Sequence, residues 1–420
     1  MNVLVFTPHN PHPVRSGAHR RILEMLRGLR DAGARVTLAG VAGLSTENRW
    51  SAEASRWLEE NGLCESVTVL DEPLPTFSEK LWRRLTKAAG PTGTPPTLDL
   101  ATPRMRAWFA ALTRARRFDW IFVNYAGFAG LLPSALRTRG TILETHDLVT
   151  LHGAMRAKLE AHLPVGPVFS PDAVGAEALE LSFARSSGIA AHPLEFEAID
   201  RFDVTLAISE EEAGIMRDHT RHTIVHTIGT PISPAQNRRP HGPLALFPMG
   251  PHTFNLQGYA WFVRRVLPLI EGECPDFCLG VSGFYHTTLE YHPRVRILGF
   301  VADATQLWSL GRMLVNPNYA GTGQPIKTIE GMAAGLPAVI LKHFSGGAPI
   351  QHAVSGFIAN DEVGFAEYCV RLWRDPSMCW DMGTHAMSAV EKECSPADVA
   401  RTLGCILQSS ATSRHEAGRS

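Results

Sequence analysis

The chain reads as an α/β protein of two doubly wound domains, and three observations lead there. Short apolar runs alternate with helical stretches along most of its length, which is the pattern of parallel sheets covered on both faces. The runs are continuous rather than alternating, as strands buried on both faces require. A proline-rich polar interval, Thr230–Pro243, divides them into two series. A chain of 420 residues also exceeds a single ordinary core. The expected organisation is therefore 1–229, a linker at 230–243, a second domain at 244–395, and a closing helix with a disordered tail at 396–420.

The first series opens with NVLVFTP, a strand ended by Pro8. A proline-rich loop closes on Ser16 and Gly17, suited to capping and close approach. In the following helix Ile22, Met25, Leu26 and Leu29 recur at helical spacing, and Gly33 stops it before the strand RVTLAGV. SVTVL, WIFVNY, TILETH, VTLAIS and TIVHTIG continue the strands. Leu148–Arg201 has weak periodicity and several prolines, and no element is assigned to it. The second series comprises LALFPMG, FCLGVSG, VRILGFV, MLVNPN and PAVILK, with helices over Tyr259–Ile270 and Ile326–Ala334.

Composition narrows the function. Hydrophobic residues make up 45%, charged residues 19%, and the net charge is −1, so no global field recruits nucleic acid or membrane. Any membrane contact must be local: Lys80–Lys87 and Arg104–Arg117 mix arginines with Trp82, Trp108 and Phe109, as an amphipathic helix on an anionic membrane would. The alternative is a helix whose apolar face lies on the sheet and whose basic face is solvated. The seven cysteines are scattered and form no CxxC pair, which fits reduced thiols and a cytoplasmic setting. Cys274 and Cys278 lack a matching histidine pair and read as core thiols. No signal peptide or membrane-spanning run is expected.

Two stretches carry chemistry. In GTGQPIKTIEGMAAGLPAVI, Gly321 and Gly323 permit a tight turn, and Pro325 suits a helix start whose N–H groups form an anion site. Lys327 stands against the dipole preference there, so a negative group is expected in front of it, or it pairs with Glu330 one turn on. HFSGGAP is a second glycine turn at the carboxyl end of a strand. In THD, His146 and Asp147 fall at the carboxyl end of TILE, where parallel sheets bind ligands; the plainer reading makes Asp147 a helix cap and His146 a satisfied polar residue.

In the order of SGAHRR, THD, GFV, GTGQPIKTIEGMAAGLPAVI, SGG and GFI, the chain resembles the retaining glycosyltransferases of GT-B fold, glycosyltransferase family 4 (glycosyl transferases group 1). The resemblance covers nearly the whole length and is most specific in the C-terminal half. It implies two Rossmann-like domains facing a central cleft, the first binding the acceptor and the second a nucleotide-sugar donor. It would place Glu330 on the ribose hydroxyls and the backbone of Gly321, Thr322, Gly323 and Gln324 at the sugar and pyrophosphate. Gly17 would border the pyrophosphate, His146 and Asp147 would face the transferred sugar, and Ser345, Gly346 and Gly347 would border base and ribose.

Two departures fall on the chemistry. Members of the family usually carry a sugar-holding glutamate where Thr322 stands. They also carry an arginine and a lysine after the first strand of the second domain, where this chain has MGPHTFNLQG with His252 as its basic group. Lys327 is the nearest replacement. The resulting expectation is a retaining transfer to an unidentified acceptor, in which Glu330 anchors the donor, Lys327 stabilises charge and His146 orients. No DxD-type acid cluster stands out at a strand end, so no obligatory metal or other cofactor is expected, and any membrane contact would be peripheral, on the inner face. The alternatives are a nucleotide-sugar epimerase of the same architecture and a catalytically silent partner subunit.

Overall fold

A computed structural model of the chain describes residues 1–14, 16–43, 50–72, 98–183, 189–235, 242–250, 252–283, 288–301 and 303–409. They fall into two compact units. One comprises Met1–Leu148, His192–Thr230 and Pro396–Ser420; the other comprises Val149–Ala191 and Pro231–Ser395.

The sheet of the first unit contains β1 (Asn2–Thr7), β2 (Arg35–Ala42), β3 (Ser66–Asp71), β4 (Trp120–Asn124) and β5 (Gly140–Glu144). After β6 (Val168–Phe169), which lies in the second unit, it is completed by β7 (Val204–Ala207) and β8 (Ile224–Thr227). Its order is β3-β2-β1-β4-β5-β7-β8, parallel throughout. β4 and β5 are buried along their length, which is why their sequences are uninterrupted apolar runs. The helix Gly17–Asp31 begins as the sequence predicts: Ser16 Oγ accepts from His19 N at 3.3 Å. Ile22, Met25, Leu26 and Leu29 are buried against the sheet.

In the second unit the sheet is built from β9 (Leu244–Pro248), β10 (Leu279–Ser282), β12 (Val295–Gly299), β13 (Gly311–Asn316), β14 (Ala338–Leu341) and β15 (Gly356–Ala359), with the short β11 (Thr288–Leu289) paired to β6. The order is β12-β10-β9-β13-β14-β15, again parallel. The helix expected over Tyr259–Ile270 is longer, running from Thr253 to Glu273 with a π-helical stretch at Phe262–Val266. Pro268 explains the irregularity, because its missing N–H and its ring are incompatible with a regular turn before it.

Both sheets reverse direction once. The chain winds outward from β1 to β3 and returns beside β1 as β4; it winds outward from β9 to β12 and returns beside β9 as β13. At such a switch point the connections diverge and leave the strand ends open to a ligand. The β1/β4 and β9/β13 carboxyl ends are therefore where functional residues should gather.

The unit boundaries differ from the sequence-based ones in two places. Residues 149–191 belong to the second unit rather than the first. Phe169, Val174, Ala178, Leu179 and Phe183 enter the same hydrophobic cluster as Tyr259, Trp261 and Phe262. Gln257 Nε2 and the Tyr319 hydroxyl donate to Ala178 O, and Arg264 Nη1 donates to Val174 O at 3.0 Å. Between the helix Val149–Glu160 and the masked stretch 184–188 the segment is built largely from short 3-10 turns, Pro171–Ala173 and Ala176–Leu179, which carry no long period for sequence reading to detect. Conversely, the closing helix Pro396–Gln408 packs in the first unit, burying Val399, Leu403, Ile406 and Leu407. Gly28 makes room for it: a Cβ there would lie 2.9 Å from Leu403 Cδ1. Trp120 Nε1 donates to Leu407 O at 3.0 Å. In the linker interval, Ile232 N and Ala235 N bond to Cys394 O and Ala333 O, within the second unit.

Of the two basic stretches, Lys80–Lys87 lies outside the described residues. Arg104–Arg117 forms the helix Pro103–Ala115, with Met105 and Phe109 buried. Arg106 pairs with Asp99, and Arg116 with Glu65, while Arg104, Arg114 and Arg117 are exposed. No helix among the described residues is long and apolar enough to cross a membrane. All seven cysteines are free thiols, with Cys274 buried and Cys278 half-buried.

The strap 149–191 is thus core rather than decoration, which gives a test. Phe169 is 2% exposed. Phe169→Ala should cost about 3 kcal/mol or more of unfolding free energy, read by denaturant titration, whereas an exposed strap would lose well under 1 kcal/mol.

Candidate functional site

In the second unit the β9/β13 switch point is lined by the turn after β9 and the glycine turn after β13. Gly321 and Gly323 have φ of 121° and 82°, the left-handed region in which a side chain is strained. The helix Ile326–Ala333 starts directly afterwards. The second glycine turn, within the 3-10 helix Lys342–Gly347, is seated against the first: a Cβ on Gly347 would lie 3.0 Å from Pro325 Cδ and 3.2 Å from Gly323 O. Gly321, Thr322, Gly323, Gln324, Ser345, Gly346 and Gly347 are thus brought to one rim of this unit.

Lys327 finds its partner across the switch point. Its Nζ donates to Met249 O at 2.6 Å, at the end of β9. Gly250 has no side chain, and its vacant Cβ position lies 3.4 Å from Lys327 Nζ, 3.5 Å from Asn255 Nδ2 and 3.7 Å from His252 Cδ2. Asn255 Nδ2 also donates to Gly250 O. The residue as a whole is exposed, yet the protein atoms gathered about its ammonium lower its pKa, opposed by the charge of Glu330. Lys327 and Glu330 therefore act on one another, but the hydrogen bond of the ammonium goes to the β9 turn. The ammonium stands beside the turn from which the family's arginine and lysine are missing.

Behind this rim lies an asparagine network that sequence reading missed. Asn316 Nδ2 donates to Thr328 Oγ1, Asn316 Oδ1 accepts from Asn318 N, and Asn318 Nδ2 donates to Asn255 Oδ1. It ties the end of β13 to both site helices. The available signal was NPN directly after a buried strand, since asparagines bond their own backbone where strands end.

Thr322 is held by a residue that no motif indicated. His152, on the helix Val149–Glu160, places Nδ1 3.0 Å from Thr322 Oγ1, and its ring lies edge-on to Phe254 at 5.1 Å. Burial lowers its pKa to about 4, with His252 and Arg156 acting in the same direction.

In the first unit the β1/β4 switch point holds a stack of rings. His146, at the end of β5, is 5% exposed and lies parallel to Tyr125 at 4.1 Å; His9 meets Tyr125 edge-on at 5.3 Å. Tyr125 and His146 both have positive φ, 71° and 63°, conformations that cost side-chain-bearing residues of order 1 kcal/mol and concentrate at functional sites. Asn124 Nδ2 donates to Phe6 O, so Asn124 Oδ1 is the acceptor for His146 Nε2–H at 2.8 Å. Burial, then Arg21 and His9, hold the imidazole well below its ordinary pKa and hence neutral, which leaves Nδ1 as its lone-pair nitrogen. Beneath it Arg21 donates to both carboxylate oxygens of Glu144, at 2.9 and 2.8 Å, and to Ile228 O; His146 N donates to Glu144 Oε1. Asp147 is half-buried next to this cluster, and Gly17 is exposed at the first position of its helix. Among the described residues no group of three or more His, Cys, Asp or Glu side chains could hold a metal ion.

The histidines make stability pH-dependent with a definite sign. His9 is lowered to about 4 and His146 well below 6.5, both mainly by burial. Below pH 6.5 the unfolded chain binds protons that the folded chain does not. Stability is thus intact above pH 6.5 and falls as pH drops from there towards 4, by up to about 1.4 kcal/mol per pH unit for each such histidine. Denaturant titrations between pH 8 and 5 should show this limb, and His146→Gln should flatten it.

Comparison with known proteins agrees with this geometry. Residues 244–375 match the family described as "Glycosyl transferases group 1". A curated protein of Klebsiella pneumoniae, "Uncharacterized 44.6 kDa protein in cps region", is 24% identical over 150 residues. That match spans 33% of this chain and only 39% of the relative's length. Among solved structures, Anabaena HepE in complex with UDP and glucose is 13% identical, with a TM-score of 0.59 over 97% of this chain and 99% of that one. Sucrose-phosphate synthase from Thermosynechococcus elongatus is 14% identical, with a TM-score of 0.60 over 97% and 98%. The pneumococcal O-GlcNAc transferase GtfA, in complex with UDP and GlcNAc, is 9% identical, with a TM-score of 0.59 over 97% and 98%. At these identities the likeness establishes the fold, and that fold is GT-B.

Proposed function

We propose that the chain is a glycosyltransferase that moves a sugar, with retention of configuration, from a nucleotide-diphosphate sugar to an acceptor. The observation that carries the reading is the convergence on the β9/β13 switch point of two touching glycine turns, a helix start and the ammonium of Lys327. That is the equipment a leaving diphosphate needs: backbone close approach, N–H groups and one positive charge. Glu330, one turn along the same helix, is assigned to the ribose hydroxyls. The match of residues 244–375 to glycosyl transferases of group 1, and the UDP bound by two of the structural neighbours, support a donor of this class. In the first unit the neutral His146 is assigned to the acceptor or the transferred sugar, with Nδ1 available as a hydrogen-bond acceptor. The acceptor hydroxyl attacks from the face the leaving group departs and passes its proton to the departing phosphate oxygen. A silent partner subunit is the competing reading, favoured by the hydroxyl of Thr322 standing where a sugar-holding carboxylate is usual.

The test is a donor panel. UDP-, ADP- and GDP-sugars are titrated calorimetrically and assayed for nucleoside diphosphate release. At least one should bind, Lys327→Ala should weaken it roughly tenfold to a hundredfold, as loss of a charge-assisted hydrogen bond does, and Glu330→Gln should weaken it less. Absence of binding and of release for every donor overturns the proposal; binding without release selects the silent reading.

A further inference from the structure

His152 belongs to no motif, yet it is the side chain best placed to replace what the glycine turn lacks. Thr322 presents a short neutral hydroxyl that cannot by itself fix a turn containing two left-handed glycines. His152 reaches it across 170 positions of sequence, Nδ1 to Oγ1 at 3.0 Å. Phe254 locks the arrangement from the other side, with its ring edge-on to His152 and its Cδ2 3.5 Å from the vacant Cβ position of Gly321. Nε2 of His152 makes no hydrogen bond within the described residues. The ring of His252 lies 6.2 Å away, and His252 in turn borders Lys327 beside Gly250.

We propose that His152 is a donor-positioning residue: through Thr322 it fixes the Gly321–Gln324 turn, and together with His252 and Lys327 it receives the diphosphate of the donor. This rests on the reading of the second unit as a nucleotide-sugar site. The charged groups facing the two imidazoles are Lys327 and Arg156, with Glu330 opposite Lys327 and Glu160 paired to Arg156 at 3.5 Å. In this mainly positive surrounding both imidazoles have lowered pKa values and are neutral at pH 7. A diphosphate placed beside them reverses the field and draws protons onto them. Donor affinity therefore rises as pH falls. A sugar-capped diphosphate has no oxygen that titrates between pH 6 and 8, so any pH dependence in that range belongs to the protein.

The experiment titrates the full chain calorimetrically with UDP-glucose, or with whichever panel donor binds, at pH 6 and pH 8. Wild type should bind several-fold more tightly at pH 6. His152→Ala should lose roughly tenfold in affinity and much of the pH dependence. His152→Gln, which can still bond Thr322 but cannot titrate, should recover affinity at pH 8 without the gain at pH 6. Thr322→Val should lose as much as His152→Ala, and the double variant should lose no more, because the pair acts as a unit. A His152→Ala variant that binds as wild type does, or losses that add in the double variant, overturn the proposal while leaving the donor site standing. A wild-type chain that binds no nucleotide sugar overturns both.

Discussion

In a sheet of parallel strands every connection must cross a face, and where the winding reverses, the connections part and the strand ends are uncovered. The arrangement of both units depends on that constraint. At β1/β4 and at β9/β13 it leaves backbone carbonyls without a ladder partner and open to solvent or ligand. Side chains supply the missing partners: Asn124 for Phe6 O, Lys327 for Met249 O and Asn255 for Gly250 O. Satisfying the strand ends and positioning the polar groups of the site are therefore the same act. A lysine drawn to Met249 O is thereby held beside the glycine turn, whatever ligand arrives.

The two units use charge in opposite ways. Arg21 and Glu144 are 1% and 0% exposed, so neither can be spared once the other is present. Bidentate geometry and the bond to Ile228 O fix Glu144, Glu144 fixes the backbone of His146, and the positive charge of Arg21 helps keep that ring neutral. This is rigid preorganisation. Lys327 is exposed and held by one carbonyl, a bond that an incoming anion can replace at little cost. The first unit presents a fixed ring, the second a charge free to be recruited.

What was legible in the sequence follows from range. Strands buried on both faces announce themselves as apolar runs, and Gly321 and Gly323 are legible because a left-handed backbone has few alternatives to glycine. Lys327 was legible because it defies the local dipole preference, though its partner Met249 was not. The partnership of Arg21 with Glu144 spans 123 positions; its trace was a carboxylate inside the apolar run TILE and an arginine on the buried face of a helix, each explained only by the other. The strap 149–191 had no legible period because its packing runs through brief turns, and His152 was lost with it. GFI was noted as a motif and not as a strand, yet Gly356–Ala359 forms β15, too short to stand out beside longer runs.

The two departures from the family pattern, treated together, make better sense than either alone. Replacing a glutamate by Thr322 removes a negative charge from the rim of the donor turn. Losing the arginine and lysine after β9 removes two positive ones from the facing turn. Had only the basic pair been lost, a carboxylate would stand against a single lysine and oppose a diphosphate. With Thr322 neutral and tied to His152, the local balance among Lys327, His252, His152 and Arg156 stays positive, and the two imidazoles can add charge when an anion arrives. A carboxylate can only accept hydrogen bonds, whereas a threonine and histidine pair can donate or accept. The exchange thus conserves the field a phosphate requires and changes the hydrogen-bonding polarity offered to the sugar, which is where selectivity among donors is decided.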